Sequence, residues 1–364
     1  MTCRKQVKCL SANLGKRINP HPNSQYPYSL TKTFIWIVLL ATRVARFHNV
    51  FMIRSVSLNK FNNPDYTISG ERRAKVELKS LKTLWFNTGT LCNIECKNCY
   101  IESSPTNDDL VYIKVAEVQK FINEILKLSL PVQEIGLTGG EPFMNPDITK
   151  IIELCLCEGF NVLVLSNAMA PMMRKKIKSD LIKLNDQFGD QIVIRVSLDH
   201  WDWVKHDAER GLGTFEKTIE GMRWLNEHNI KMAVAGRSEF SDNEQTARMA
   251  YEELFRLHNF KIDAFNPSET VLFPELEENA EVPEITESCW NILNKSPNDL
   301  MCSNSRMVVK RKRASLPSVV ACTLLPYDLE FDLGTDLKNS LKDVALNHVH
   351  CSKFCVLGGA SCSA

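Results

Sequence analysis

The stretch CNIECKNCY sets three thiols, Cys92, Cys96 and Cys99, within eight residues. Two chemistries use thiols at such spacing. A structural zinc site closes on four ligands, commonly two close pairs, whereas a catalytic zinc site takes three and leaves one position for solvent. An iron–sulfur cube takes one thiolate per iron, so three cysteines leave one iron without a protein ligand and open to another molecule. Taken alone, the loop suits either a cube with one bare iron or zinc with a distant fourth ligand. Further on stand Gly139, Gly140, Glu141 and Pro142. The two glycines allow conformations and close approach that a Cβ would block, and Glu141 offers a carboxylate to a cation or a donor.

Elements of alternating type must position these residues. From Thr83 onward β-rich segments (83–88, 133–138, 160–166, 191–199, 231–236 and 261–266) alternate with segments of helical periodicity (114–128, the stretch from Asn145, a lysine-rich run, 214–228 and 243–258). Six strands alternating with helices predict a parallel sheet with right-handed crossovers. VLVL and IVIRV are apolar throughout, as strands covered on both faces must be. Six units predict an α/β fold with a partial, open (βα)6 TIM-like barrel whose chemistry lies on loops at the carboxyl ends of its strands. The unusual residues fall there: the cysteine loop after the first strand, Gly139–Pro142 after the second, Ser166 and Asn167 after the third, Ser197 and Asp199 after the fourth, Arg237 after the fifth.

In that order and setting, CNIECKNCY resembles the CxxxCxxC signature of the radical SAM superfamily, and GGEP resembles that family's motif for the methionyl amino group. The resemblance covers about residues 83–266. It implies a [4Fe-4S] cluster on Cys92, Cys96 and Cys99, with S-adenosylmethionine chelating the open iron through its amino and carboxylate groups. Reductive cleavage then gives methionine and a 5′-deoxyadenosyl radical, which abstracts hydrogen from the substrate. It further implies cofactor contacts by Gly139, Gly140, Glu141, Pro142, Ser166, Asn167, Ser197 and Asp199. Arg210 is the expected partner of the cofactor carboxylate, since a guanidinium suits bidentate pairing, with Arg237 a second choice. His206 is expected to be structural. Many relatives carry an aromatic residue before the third cysteine to pack on adenine; this chain has Asn98 there and Tyr100 after Cys99.

A second group, Cys302, Cys322, Cys351, Cys355 and Cys362, follows a Glu- and Pro-rich stretch. A basic hairpin-like segment lies between Cys302 and Cys322, which resembles, more loosely, SPASM or twitch extensions with auxiliary clusters. A second iron–sulfur cluster or a zinc site is the implied occupant, with Cys351 and Cys355 the best pair. Cys155 and Cys157 are expected in the core. The expected divisions are a basic, disordered extension (1–64), a core domain (65–270) and a smaller cysteine-rich C-terminal domain (271–364).

The first 64 residues hold ten Lys or Arg and no Asp or Glu, and they read as such an extension, or as an over-extended reading frame whose working start is Met52, rather than a targeting segment. The apolar run 34–41 is far below the ~20 residues of a membrane span. A net charge of +1 gives no sign of a nucleic-acid partner, and the odd number of cysteines, 13, fits metal ligation in a reducing cytoplasm better than disulfides. The expected protein is a radical SAM enzyme acting on a peptide or another bulky substrate, supplied with electrons by a flavodoxin or ferredoxin. Its rivals are the same chemistry on a small metabolite and a non-catalytic zinc or iron–sulfur protein.

Overall fold

A computed structural model describes residues 60–238, 243–274 and 281–359. The expected extension before residue 60, and Cys362, lie outside the described residues. The sheet is built from strands β1 (Thr83–Asn87), β2 (Glu134–Thr138), β3 (Asn161–Ser166), β4 (Ile192–Ser197), β5 (Met232–Ser238) and β6 (Thr270–Pro274). Neighbours from β1 to β6 pair in parallel. Between them run α1 (Val115–Lys127), α2 (Ile148–Cys157), α3 (Lys175–Phe188), α4 (Trp203–Arg210), α5 (Thr214–Glu227) and α6 (Glu244–His258).

The sheet does not stop at six strands. β7 (Ser305–Val309) joins the free side of β1 in parallel, β8 (Ser318–Val320) returns antiparallel to β7, and β9 (Asp332–Gly334) pairs antiparallel with β8. The spatial order is β9-β8-β7-β1-β2-β3-β4-β5-β6, open at both ends: a partial barrel. The sixth strand lies nine residues later than periodicity predicts, at 270–274 instead of 261–266. Residues 261–266 turn instead, because Asp263 accepts from the Phe265 N–H and Asn266 from the Ser268 N–H.

Alternation along each strand sorts its side chains between two cores. Leu84 and Phe86 face the helices and meet Val118, Phe121 and Ile122 of α1. Trp85 faces inward with Leu110, Leu163, Met307 and Val320. Gly136 makes room for it: a Cβ there would sit 2.3 Å from the Trp85 ring. Cys155 is buried as expected, but Cys157, the last residue of α2, is exposed because the helix turns its final residue off the core.

The chain divides into two compact units. Among the described residues, one comprises 60–75, Glu281–Lys295 and Ala345–Ser352; the other holds every strand named above. In the first, the Arg73 and Glu284 side chains, 1% and 5% exposed, pair at 2.5 Å. Arg73 also donates to the carbonyls of Asn63, Tyr66 and Leu346, and Glu284 accepts from the N–H groups of Phe61 and Ile68. Among the described residues no helix is long and apolar enough to cross a membrane.

Candidate functional site

The carboxyl ends of the strands open into one cavity of about 1120 Å³, part of it open to solvent. The cysteine loop forms one wall. Its entry is fixed by the Cys92 N–H on Ser104 O (3.0 Å), and its middle by the Lys97 N–H on Glu209 O (2.9 Å). Cys92, Cys96 and Cys99 all line the cavity. Burial pushes the Cys92 thiol up to about 12 and raises Cys96 too, the latter opposed by the nearby Arg210 charge. Such thiols stay protonated until a metal displaces the proton.

The bend after β2 explains its glycines. Gly139 has φ +139°, and its Cβ would lie 2.5 Å from Gly89 O; a Cβ on Gly140 would lie 2.3 Å from Leu91 O. The Gly140 N–H donates to Gly89 O and the Glu141 N–H to Leu91 O. The bend thus lies directly against the turn that launches the cysteine loop. Both glycines line the cavity; Glu141 and Pro142 are buried outside its lining. The Glu141 carboxylate accepts from Ser166 Oγ (2.9 Å), the Asn167 N–H (2.9 Å) and the Phe143 N–H (3.1 Å), joining the end of β2 to the end of β3. Burial moves its carboxyl up to about 7, against the pull of these donors.

Ser166, Asn167, Ser197 and Asp199 line the cavity as well. The Asn167 amide donates to Asn93 Oδ1 at 2.9 Å, inside the cysteine loop. Arg210 meets Asp199 through two bonds of 2.9 and 3.1 Å, and Arg237 Nε approaches the same carboxylate at 3.4 Å. Burial alone would raise the Asp199 carboxyl, yet the two guanidinium groups hold it below its ordinary value. Arg237 also lies 4.0 Å from the Glu209 carboxylate, so two carboxylates balance the two guanidinium groups; beside the thiols, Arg210 and Arg237 favour the Cys96 thiolate and Asp199 opposes it. His206 is fully buried with neither ring nitrogen hydrogen-bonded, its ring against Phe215; burial drops it to about 4, so it stays neutral. Asn98, where relatives have an aromatic, holds the loop on α4: its amide donates to Glu209 Oε2 at 2.8 Å and its carbonyl accepts from Arg237. Tyr100 lines the cavity instead.

Sequence reasoning missed the part of the cavity wall formed by Leu165, Arg195, Ala235, Phe273 and Phe354. Strand alternation held a signal for part of it, since Arg195 stands two residues before Ser197 and so shares its face. Nothing local marks Phe354, whose ring stacks on Phe273 at 5.5 Å.

In the C-terminal group, Cys302 and Cys322 flank the β7–β8 hairpin, near the buried Arg306. Arg306 donates to the carbonyls of Cys302, Ser305, Ser340 and Lys342, and burial lowers it to about 10. Burial raises the Cys302 thiol to about 11. Cys351 is buried and Cys355 half-buried on a π-helical turn, Cys351–Leu357.

Among the described residues no three His, Cys, Asp or Glu side chains converge as ligands of one metal ion. A cube binds each thiolate to a different iron and needs no such convergence. The loop thiols, the cationic pair facing them and the glycine bend against the loop fit a cluster with a small polar cofactor beside it.

Residues 86–250 match the Radical SAM superfamily. The chain is 29% identical over 179 residues to the antilisterial bacteriocin subtilosin biosynthesis protein AlbA of Bacillus subtilis, a stretch covering 49% of this chain and 37% of that protein. It is 26% identical over 146 residues to the AdoMet-dependent heme synthase of Methanosarcina barkeri, covering 39% and 38%. Among solved structures, anSMEcpe with bound AdoMet shares the fold at TM-score 0.51 and 15% identity, over 77% of this chain and 81% of that one. Less than two fifths of either of these two curated relatives is thus matched.

Residues 86–250 therefore carry the likeness to a radical SAM domain, and the wider fold is that of anSMEcpe. The cofactors of that domain are a [4Fe-4S] cluster and S-adenosylmethionine.

Proposed function

We propose that this chain is a radical SAM enzyme that modifies a peptide. The observation carrying it is the convergence of Cys92, Cys96 and Cys99 with the polar ends of β2 to β5 on one cavity. In this reading the three thiolates hold the cluster, while Gly139 and Gly140 let the backbone approach the cofactor closely. Ser166, Asn167 and Ser197 present short polar groups to it, and the Asp199–Arg210–Arg237 group supplies compensating charge and a guanidinium edge for its carboxylate. Glu141 keeps the ends of β2 and β3 in register behind them. When bound, cluster and cofactor supply one-electron cleavage of the sulfonium and the hydrogen abstraction that follows. The protein positions the substrate and keeps out water. The electron comes from a separate low-potential donor of the flavodoxin or ferredoxin type.

The peptide clause is supported by the likeness to a bacteriocin biosynthesis protein; the likeness to a heme synthase favours a small metabolite as the second reading. Anaerobic reconstitution tests the chemistry. The protein should take up iron and sulfide and, with a strong reductant, convert S-adenosylmethionine to 5′-deoxyadenosine. Replacing Cys92, Cys96 and Cys99 together with alanine should abolish it; cleavage that persists refutes the assignment, and zinc in place of iron supports the non-catalytic alternative. An iron count of roughly eight per chain indicates a second cluster on the C-terminal cysteines, and about four indicates none.

A further inference from the structure

One hydroxyl from the C-terminal extension reaches the cysteine loop. Tyr327 packs its ring on the inner core beside Trp85, Leu110 and Met301. Its hydroxyl donates to Ile101 O at 2.7 Å and accepts from Asn107 Nδ2 at 3.3 Å. The same Asn107 amide donates to Glu102 O at 2.9 Å. Two consecutive carbonyls just beyond Cys99 are therefore held by one Tyr–Asn pair.

The residue between them needs holding. Glu102 has φ +49°, the left-handed region that a side chain other than glycine or asparagine enters at a cost. That turn aims the Glu102 N–H at Cys99 O (3.0 Å) and the Ser103 N–H at Cys99 Sγ (3.3 Å). Both bonds depend on the Glu102 conformation, so relaxing the turn moves the donor away from the sulfur.

The reach of Tyr327 is itself fixed. The hairpin that precedes it is tied to the segment after the cysteine loop by Val111 N–H on Lys310 O and Lys312 N–H on Asp109 O, both 2.8 Å, and by the Lys312–Asp108 ion pair at 2.6 Å. The hydroxyl is thus delivered from a braced support.

We propose that Tyr327 is a positioning residue for Cys99: it fixes the turn whose Ser103 N–H donates to the cysteine sulfur, and through that bond it sets the reduction potential of the cluster. The proposal rests on the radical SAM reading above for its cluster, though not for its geometry. An N–H donor on a ligating sulfur stabilises the more negative, reduced state, so losing it makes the potential more negative.

Tyr327→Phe in the full chain removes the hydroxyl and keeps the ring. In cluster-free protein, amide exchange across residues 99–107 should rise about tenfold, the factor that one ordinary hydrogen bond is worth. Exchange in β1 should stay as in the wild type, and Tm should fall by no more than about 2–4 °C. In reconstituted protein, the midpoint potential of the cluster should become more negative. Unchanged exchange at 99–107, or an equal rise in β1, overturns the clamp, and an unchanged midpoint potential overturns the tuning role. Wild-type protein that binds no iron defeats the radical SAM reading and with it the tuning role, while the exchange measurement still decides the clamp.

Discussion

A methyl group on residue 140 would lie 2.3 Å from Leu91 O and 2.6 Å from Thr90 O, both backbone atoms that cannot swing aside. Gly140→Ala should therefore destabilise by about 1–3 kcal/mol, as overpacking does, and lower the urea midpoint. Because the displaced backbone launches the cysteine loop, the same variant should also retain less iron after reconstitution. Glu141 tests the neighbouring position differently. Its carboxylate faces three donors, so in Glu141→Gln one amide N–H must oppose another N–H, at a cost of about 1–3 kcal/mol. Equilibrium unfolding would check this, and a neutral result would show that the carboxylate is not what joins β2 to β3. The residue types in the loop and bend were legible because thiols and glycines have few uses at that spacing. The role of Glu141 was not, since only folding reveals which donors surround a carboxylate.

At the scale of elements, α5 starts without its own cap. Gly213, at φ +74°, precedes Thr214 and has no side chain to offer. Asp207 of α4 supplies the cap, accepting from the N–H groups of Gly213 (2.6 Å) and Phe215 (2.8 Å) and from Thr214 Oγ1 (3.2 Å). Asp207→Ala should cost about 1 kcal/mol, in line with other lost N-caps. It should raise amide exchange at the start of α5 before any global change. Elements β1 to β5 were readable from apolar runs bounded by turn residues. The sixth strand was misplaced, because KIDAFN has the alternation of a strand while its Asp and Asn side chains satisfy the local backbone as turns.

At the scale of the molecule, the unit containing residues 60–75 is organised around a buried charge pair. Burial would raise the Glu284 carboxyl, but the N–H groups of Ile68 and Phe61 and the Arg73 guanidinium outweigh it and hold the value below that of an ordinary carboxylate. A carboxyl depressed in the folded state binds fewer protons there than when unfolded. Its stabilisation is therefore present above the unfolded value of about 4.3 and is lost as pH falls through the folded one. Amide exchange over residues 60–75 should accelerate on acidification through that window, and Glu284→Gln should flatten the pH dependence. Removing one partner, as in Arg73→Ala, should cost about 3–5 kcal/mol, since it strands a buried charge.

By itself the sequence determined the parallel α/β core, the placing of the polar residues on one rim, and the three-thiol loop with its glycine bend. Each follows from short-range pattern: strand runs, helical spacing, and residue types with few alternative uses. Only the tertiary structure decided that Arg210 is engaged by Asp199, that Asn98 pins the loop to α4, and that β7 extends the sheet beside β1. It also decided that Tyr327 reaches the carbonyl of Ile101, 226 residues away in the chain. The physical reason is the same in each case. A polar side chain takes its partner from whatever groups packing brings within about 3 Å, and contacts between residues far apart in the chain leave no mark in local periodicity.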